Sequence, residues 1–168
     1  SRTTGGAVDL TAYGEHIRLG NKLVEQNKVW DAIHEFEAAT KANPGTIEGY
    51  ITLAKLYDNQ TRFKEMFDNA RRAVVNDTES SRGREVLAMA NLRLNNTDEA
   101  LRQVQMAITL DPLNSEAHNL LGYINEFKFS KVDQAEKEYR KALELNRLNT
   151  RALVNLGQLL ERHRENYK

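Results

Sequence analysis

Four histidines (His16, His34, His118 and His163) and 24 aspartates and glutamates are the side chains of this chain that could ligate a metal or transfer protons. A hydrolytic zinc site of the H-E-x-x-H kind needs two histidines one helical turn apart, and no such pair occurs. His34 and His163 have no partner at ligand spacing. The carboxylates fall mostly among lysines and arginines, as in Glu136, Lys137, Glu138, Arg140 and Lys141. Solvated i,i+4 pairs account for such runs without acid–base work. With no cysteine in the chain, thiol catalysis and disulfides are excluded. The phosphate loop G-x-x-x-x-G-K-[ST], the dinucleotide loop G-x-G-x-x-G and the nucleophile elbow G-x-S-x-G are all missing. The expectation is a protein that is not an enzyme and holds no metal or cofactor.

Charge narrows the partners. Lysine plus arginine and aspartate plus glutamate are equal at 24 each, which gives no pull toward nucleic acid or an anionic membrane. No apolar run approaches the ~20 residues that a membrane-spanning helix needs. The chain opens on serine, so we expect a processed N-terminus or residues that precede it. A chain without cysteine suits the cytosol or the periplasm. The cytoplasm is taken first, with a periplasmic or lipid-anchored location, after removal of a targeting segment, as the alternative.

The elements that would position any binding surface are helices. In the stretch from Ala100 to Gly122, Ala100, Val104, Ala107, Ile108 and Leu110 recur at helical spacing. Asp111-Pro112 then breaks the pattern, and Asn114 or Ser115 can cap a new helix whose apolar side carries Ala117, Leu120, Leu121 and Ile124. Pro44 precedes Pro112 by twice 34 residues, and laying the chain out at that period aligns two series. One runs His16-Leu19-Gly20-Leu23, Tyr50-Leu53-Ala54-Tyr57, Arg84-Leu87-Ala88-Asn91, His118-Leu121-Gly122-Asn125 and Leu153-Leu156-Gly157-Leu160. The other runs Ala32-Phe36-Ala39, Met66-Ala70-Ala73, Ala100-Val104-Ala107 and Ala135-Tyr139-Ala142, closed by Pro44, Thr78, Pro112 and Arg147. One extra residue lies within Glu126–Val132.

These series resemble the tetratricopeptide repeat (TPR) family, whose pattern is W-x2-L-G-x2-Y, then A-x3-F-x2-A, then P. The resemblance covers about Thr11 to the C-terminus. It implies an all-α, right-handed α–α superhelix (solenoid) of about four helix-turn-helix repeats plus a C-terminal helix. The domain expectation is a disordered or loosely docked tail over 1–10 and a TPR domain over 11–168. Its repeats would be 13–46, 47–80, 81–114 and 115–149, followed by a partial repeat or capping helix over 150–168. Helices are expected over 12–26, 29–42, 47–59, 63–76, 81–94, 97–110, 115–127, 132–145 and 150–164.

Within that frame His16 and His118 occupy the family's tryptophan slot and read as packing residues. Gly20, Ala54, Ala88, Gly122 and Gly157 are where paired helices approach closely. Asn27, Thr61, Asn95 and Ser130 fall near tight turns where the family prefers glycine. Asn91 and Asn125 stand in an aromatic slot, where each amide needs a partner. Trp30 sits at the start of a second helix; it is either an exposed anchor for a partner or covered by Val8 and Leu10, and cover is the expectation. Glu165-Asn166-Tyr167-Lys168 looks like the opening of a second helix, which suggests either excision from a longer array or use of the preceding helix in self-association.

Function then rests on the inner surface, lined by the first helix of each hairpin. The resemblance places Ile17, Asn21 and Val24, then Ile51, Lys55 and Asp58, then Glu85, Met89 and Leu92, then Asn119, Tyr123 and Glu126 in a peptide-binding groove, to which the fifth helix adds Val154, Gln158 and Glu161. Co-chaperone relatives grip a C-terminal carboxylate with basic and amide groups on this surface. Only Asn21 fits that pattern here, because Ile17, Glu85 and Met89 stand at the other positions. The expectation is an interaction module that binds a peptide or helix of a protein partner and supports assembly of a larger complex. The alternative is a scaffold that forms a homo-oligomer through an open face of Leu153, Leu156 and Leu160.

Overall fold

The structure is a computed structural model that describes residues 7–165. The expected tail at Ser1 to Gly6 and the expected helix opening at Asn166 to Lys168 lie outside the described residues. Among the described residues the protein is all-α: nine helices and no strand. The helices are α1 (Leu10–Glu25), α2 (Val29–Ala42), α3 (Ile47–Asn59), α4 (Phe63–Asn76), α5 (Ser81–Arg93), α6 (Thr97–Leu110), α7 (Ser115–Phe129), α8 (Val132–Leu145) and α9 (Thr150–Glu165). The chain divides into two compact units, 1–78 with α1–α4 and 79–168 with α5–α9.

The first helix of each hairpin starts at a side-chain cap. Asp9, Thr46, Ser80, Asn114 and Asn149 each accept a hydrogen bond from the backbone N–H three residues on, at 3.0–3.1 Å. Such caps supply a partner to one of the four donors that a helix start leaves open. The second helices have no side-chain cap and begin directly after a tight turn. In those turns Asn27, Thr61, Asn95 and Ser130 adopt φ of 57°, 57°, 62° and 54°, the left-handed conformation that the family's glycines would take. The extra residue near 126–132 is absorbed in the last turn of α7. There the N–H of Ser130 bonds to the carbonyl of Asn125, five residues back, so α7 runs on to Phe129.

Each hairpin is held by close approach at one small residue. In the first unit α1 pairs with α2 and α3 with α4; in the second α5 pairs with α6 and α7 with α8. A Cβ on Gly20 would stand 2.9 Å from the Phe36 ring, and one on Gly122 would stand 2.7 Å from the Tyr139 ring. Ala54 and Ala88, in the same slot, are fully buried. Gly157 differs: nothing lies within 4 Å of where its Cβ would be, because no helix pairs with that side of α9 among the described residues. The other side of α9 packs on α8, where Leu156 and Leu159 join Ala135 and Tyr139 in a buried cluster.

Polar bonds repeat between successive hairpins of the second unit. Ser81 Oγ donates to the carbonyl of Ala107 and accepts from Asn114 Nδ2. Ser115 Oγ donates to the carbonyl of Ala142 and accepts from Asn149 Nδ2. Each helix start is thus tied to the end of the second helix of its own hairpin and to the cap of the next first helix.

Trp30 is not covered as expected. Val8, Leu10 and Trp30 are all exposed. The backbone N–H of Asp9 bonds to the carbonyl of Ala42 at the far end of α2. At 1.5 Å per residue, that holds the lead-in roughly 18 Å from Trp30.

The two glycines give opposite expectations for one substitution. Gly122→Ala should lower stability by about 1–3 kcal/mol, since the new methyl meets a ring and the Ala135 carbonyl. Gly157→Ala should raise it by about 0.5–1 kcal/mol, through helix propensity alone. Urea denaturation of both variants checks this, and changes of the same sign would remove the close-approach account.

Candidate functional site

The second unit carries a cavity of about 380 Å³ on the side where the first helices α5, α7 and α9 lie next to one another. Met89 and Leu92 from α5, Leu120 and Tyr123 from α7, and Val154 from α9 line it with apolar surface. Met89 and Tyr123 hold the same repeat position, whereas Leu92, Leu120 and Val154 come from other positions; side chains one turn apart on each helix face one way, and stacking sets the three faces side by side. Tyr123 packs on Phe127 at 4.7 Å between ring centroids.

Polar groups sit among these. Asn119 is buried, and its Oδ1 accepts from Asn155 Nδ2 at 2.9 Å. Arg93, Lys128, Thr150 and Arg151 complete the lining. The Arg151 guanidinium lies 3.9 Å from the Met89 sulfur and 3.9 Å from a Glu116 carboxylate oxygen. Lys128 Nζ donates to Asn95 Oδ1 at 3.3 Å.

Of the expected groove residues, Met89, Leu92, Asn119 and Tyr123 are brought to this one cavity, and Val154 joins them. Glu126 turns elsewhere. Its carboxylate accepts from Tyr139 Oη at 2.7 Å and pairs with Arg162, whose guanidinium also lies 5.4 Å from the centre of the Phe127 ring. A nearly buried carboxylate needs donors, and α8 and α9 supply them. Glu85 is only 3% exposed and Asp58 only 8%, and each is held by interactions inside the protein. Ile51 is core. Asn21, Val24 and Lys55 are exposed and Ile17 half-buried, all in the first unit. Gln158 and Glu161 are exposed and outside the cavity lining.

The expected open face of α9 is narrower than Leu153, Leu156 and Leu160 together. Leu153 is 51% exposed, but Leu156 is buried at 9% and Leu160 packs against the same cluster. These two leucines lie toward α8; Leu153 and Gly157 mark the open side.

The tryptophan-slot residues pair across their hairpins. His16 Nδ1 lies 2.7 Å from Glu35, His118 Nδ1 lies 2.7 Å from Glu138, and Arg84 donates to Gln103 at 3.0 Å. His118 Nε2 also reaches the Pro112 carbonyl at 3.0 Å. Among the described residues no group of three or more histidines, aspartates or glutamates is arranged to hold a metal ion. Nor is any helix long and apolar enough to cross a membrane.

Residues 85–126 and 124–167 each match the tetratricopeptide repeat pattern. The chain is a TPR protein. Over 131 residues it is 30% identical to the DnaJ homolog subfamily C member 7 homolog of Schizosaccharomyces pombe, an alignment that takes in 74% of this chain and 26% of that one. The chain thus spans about a quarter of the length of that relative. A thermophilic TPR protein of Thermus thermophilus, TTC0263, superposes with a TM-score of 0.79 at 22% identity, over 88% of this chain and 80% of that one. YrrB, described as a TPR protein with an unusual peptide-binding site, superposes with a TM-score of 0.62 at 19% identity, over 89% and 76%. TPR repeats are in general non-enzymatic modules for protein–protein interaction, and this TPR chain has that fold.

The cavity also takes in Arg93, Leu120, Lys128, Thr150, Arg151 and Asn155, none of which belongs to the groove set that the repeat pattern gives. Lys128 lies beyond the expected end of α7 and is carried on the helix only because the extra residue lengthens it. Asn155 had a signal in principle, since it is one residue from Val154, but which neighbour turns inward depends on how α9 is rotated on α7.

Burial and the hydrogen bond to Glu126 hold the Tyr139 hydroxyl far above the usual tyrosine range. The unfolded chain ionises this group above about pH 10, so its contribution is complete below that pH and is lost progressively above it. Tyr139→Phe should therefore be less stable than the parent by about 1–3 kcal/mol at neutral pH. Above about pH 10 the parent should lose stability more steeply than the variant, and denaturation midpoints across that range measure it.

Proposed function

We propose that this TPR protein binds a segment of a protein partner in the cavity between α5, α7 and α9, and that it works by holding that partner in a larger complex, not by catalysis. The observation that carries the reading is the apolar floor of Met89, Leu92, Tyr123 and Val154 beside an amide pair in which Asn119 is buried and Asn155 half-buried. Apolar anchors supply affinity, and fixed polar groups set register. The peptide-binding description of YrrB supports the same use of the fold. Affinity capture of partners with the intact chain beside a Met89→Glu/Tyr123→Glu variant tests it. The variant should lose the specific partners while keeping its helical circular dichroism; recovery of the same set by both would refute groove binding.

A second reading has its own observation. Leu153 is exposed next to the open slot at Gly157, the place that an aromatic ring of the paired helix fills at Gly20 and Gly122. A second copy docking there would make the protein a scaffold. Light scattering coupled to size exclusion should then show a concentration-dependent dimer or larger species, reduced by Leu153→Glu. A monomer at every concentration would eliminate self-association.

A further inference from the structure

We infer that the open side of α9 is a docking slot for a helix of a partner protein, one that presents a tyrosine between two small residues with an aliphatic residue directly before the ring. The inference goes beyond the groove reading, since it concerns a different face of α9 and uses no residue of the cavity lining.

The protein itself shows what fills such a slot. At Gly20 the filler is Phe36 with Ala32 and Ala39, and at Gly122 it is Tyr139 with Ala135 and Ala142. Each set stands on a 14-residue second helix and is buried. Gly157 offers the same slot with nothing within 4 Å of its Cβ position, and Leu153, one turn earlier, is 51% exposed. The slot of α9 thus continues an interface that the chain forms within its own hairpins, and apolar surface left bare there favours an occupant of the same kind.

Glu161 specifies the ring. In the first hairpin the residue four places after the glycine is Val24, and the ring is a phenylalanine. In the fourth it is Glu126, which accepts from Tyr139 Oη at 2.7 Å. α9 carries Glu161 four places after Gly157, exposed and bonded to none of the described side chains. A carboxylate in that position calls for a hydroxyl on the ring.

Leu153 specifies the residue before the ring. Its counterparts His16, Arg84 and His118 reach across to Glu35, Gln103 and Glu138, each of which directly precedes the ring position of its helix. Leu153 offers no donor, so an acid facing it would be buried without a partner, whereas an aliphatic side chain packs.

A second copy as folded does not supply this helix. The faces of α2 and α8 that carry the pattern are buried in their own hairpins. The exposed aromatic residues Trp30, Tyr123, Phe127 and Phe129 do not have small residues both four places before and three places after them. The occupant is therefore a helix of another protein.

Fluorescence anisotropy with the full 168-residue chain tests this. The probe is a labelled peptide of the second-helix length, 14 residues, with Ala-x2-Leu-Tyr-x2-Ala on one face. Lactam bridges between residues i and i+4 on the opposite face hold it helical, because a free helix of that length is marginal in water. Its controls replace the tyrosine by phenylalanine, the tyrosine by alanine, or the leucine by glutamate. The probe should bind about tenfold or more tightly than the alanine and glutamate controls, and about fivefold more tightly than the phenylalanine control. Gly157→Leu fills the slot from a position with open space around it, and should weaken binding about tenfold with circular dichroism unchanged. Glu161→Ala should bring the tyrosine and phenylalanine peptides within about twofold of each other. Met89→Glu/Tyr123→Glu alters only the groove and should leave binding of the probe as it is, so the groove reading and this one fail separately.

Equal binding of all four peptides, no binding by any of them, or binding that the groove variant abolishes and Gly157→Leu does not, overturns the inference. Equal binding of the tyrosine and phenylalanine peptides to the parent chain removes the assignment of Glu161. A concentration-dependent dimer that Gly157→Leu abolishes, with no binding of the probe, gives the slot to a second copy and overturns the inference as well.

Discussion

Two helices can share a core at close range only where one of them presents almost no side chain, and every complete hairpin of this protein is organised around such a point. Under Gly20 lies the ring of Phe36, and under Gly122 the ring of Tyr139; Ala54 and Ala88 fill the corresponding places without any exposed surface. The ring needs the space that the missing methyl leaves, and the helices in turn need the ring to fill it. From this fixed contact follow the direction of each helix and the face it turns outward.

Stacking of the hairpins is set by a different kind of bond. The serine and asparagine bonds at the starts of α5, α7 and α9 recur with the repeat and tie each cap to the carbonyl end of a second helix. Apolar packing alone tolerates small slides between helices, whereas a hydroxyl that must donate to one carbonyl and accept from one amide does not. In the second unit these bonds hold Met89, Tyr123 and Val154 beside one another. The cavity is a product of register between local hairpins, in which each mainly touches its neighbours.

Several carboxylates of this neutral chain are spent on partners inside the structure. Glu35 and Glu138 serve the histidines of their own hairpins, and Glu126 serves a tyrosine and an arginine on two other helices. Acidic groups used inside the structure are not displayed, and basic groups with long stems reach the rim.

The sequence by itself determined the helices, their boundaries to within two or three residues, the small residues at the contacts of the four hairpins (though not the open side at Gly157) and the four left-handed turns at Asn27, Thr61, Asn95 and Ser130. All of these are local: a period, a cap, a missing Cβ, a backbone conformation that few side chains accept. Tertiary structure alone decided which candidate residues share a surface. Glu126 could be placed on the right helix from its number, but not known to bond Tyr139 and Arg162, since partners 13 and 36 residues away leave no local mark. Leu156 and Leu153 look alike in sequence and differ in burial because only one of them faces α8. The single extra residue near the end of α7 shifts the helix end by two positions and brings Lys128 to the rim, a consequence of packing that no repeat pattern carries.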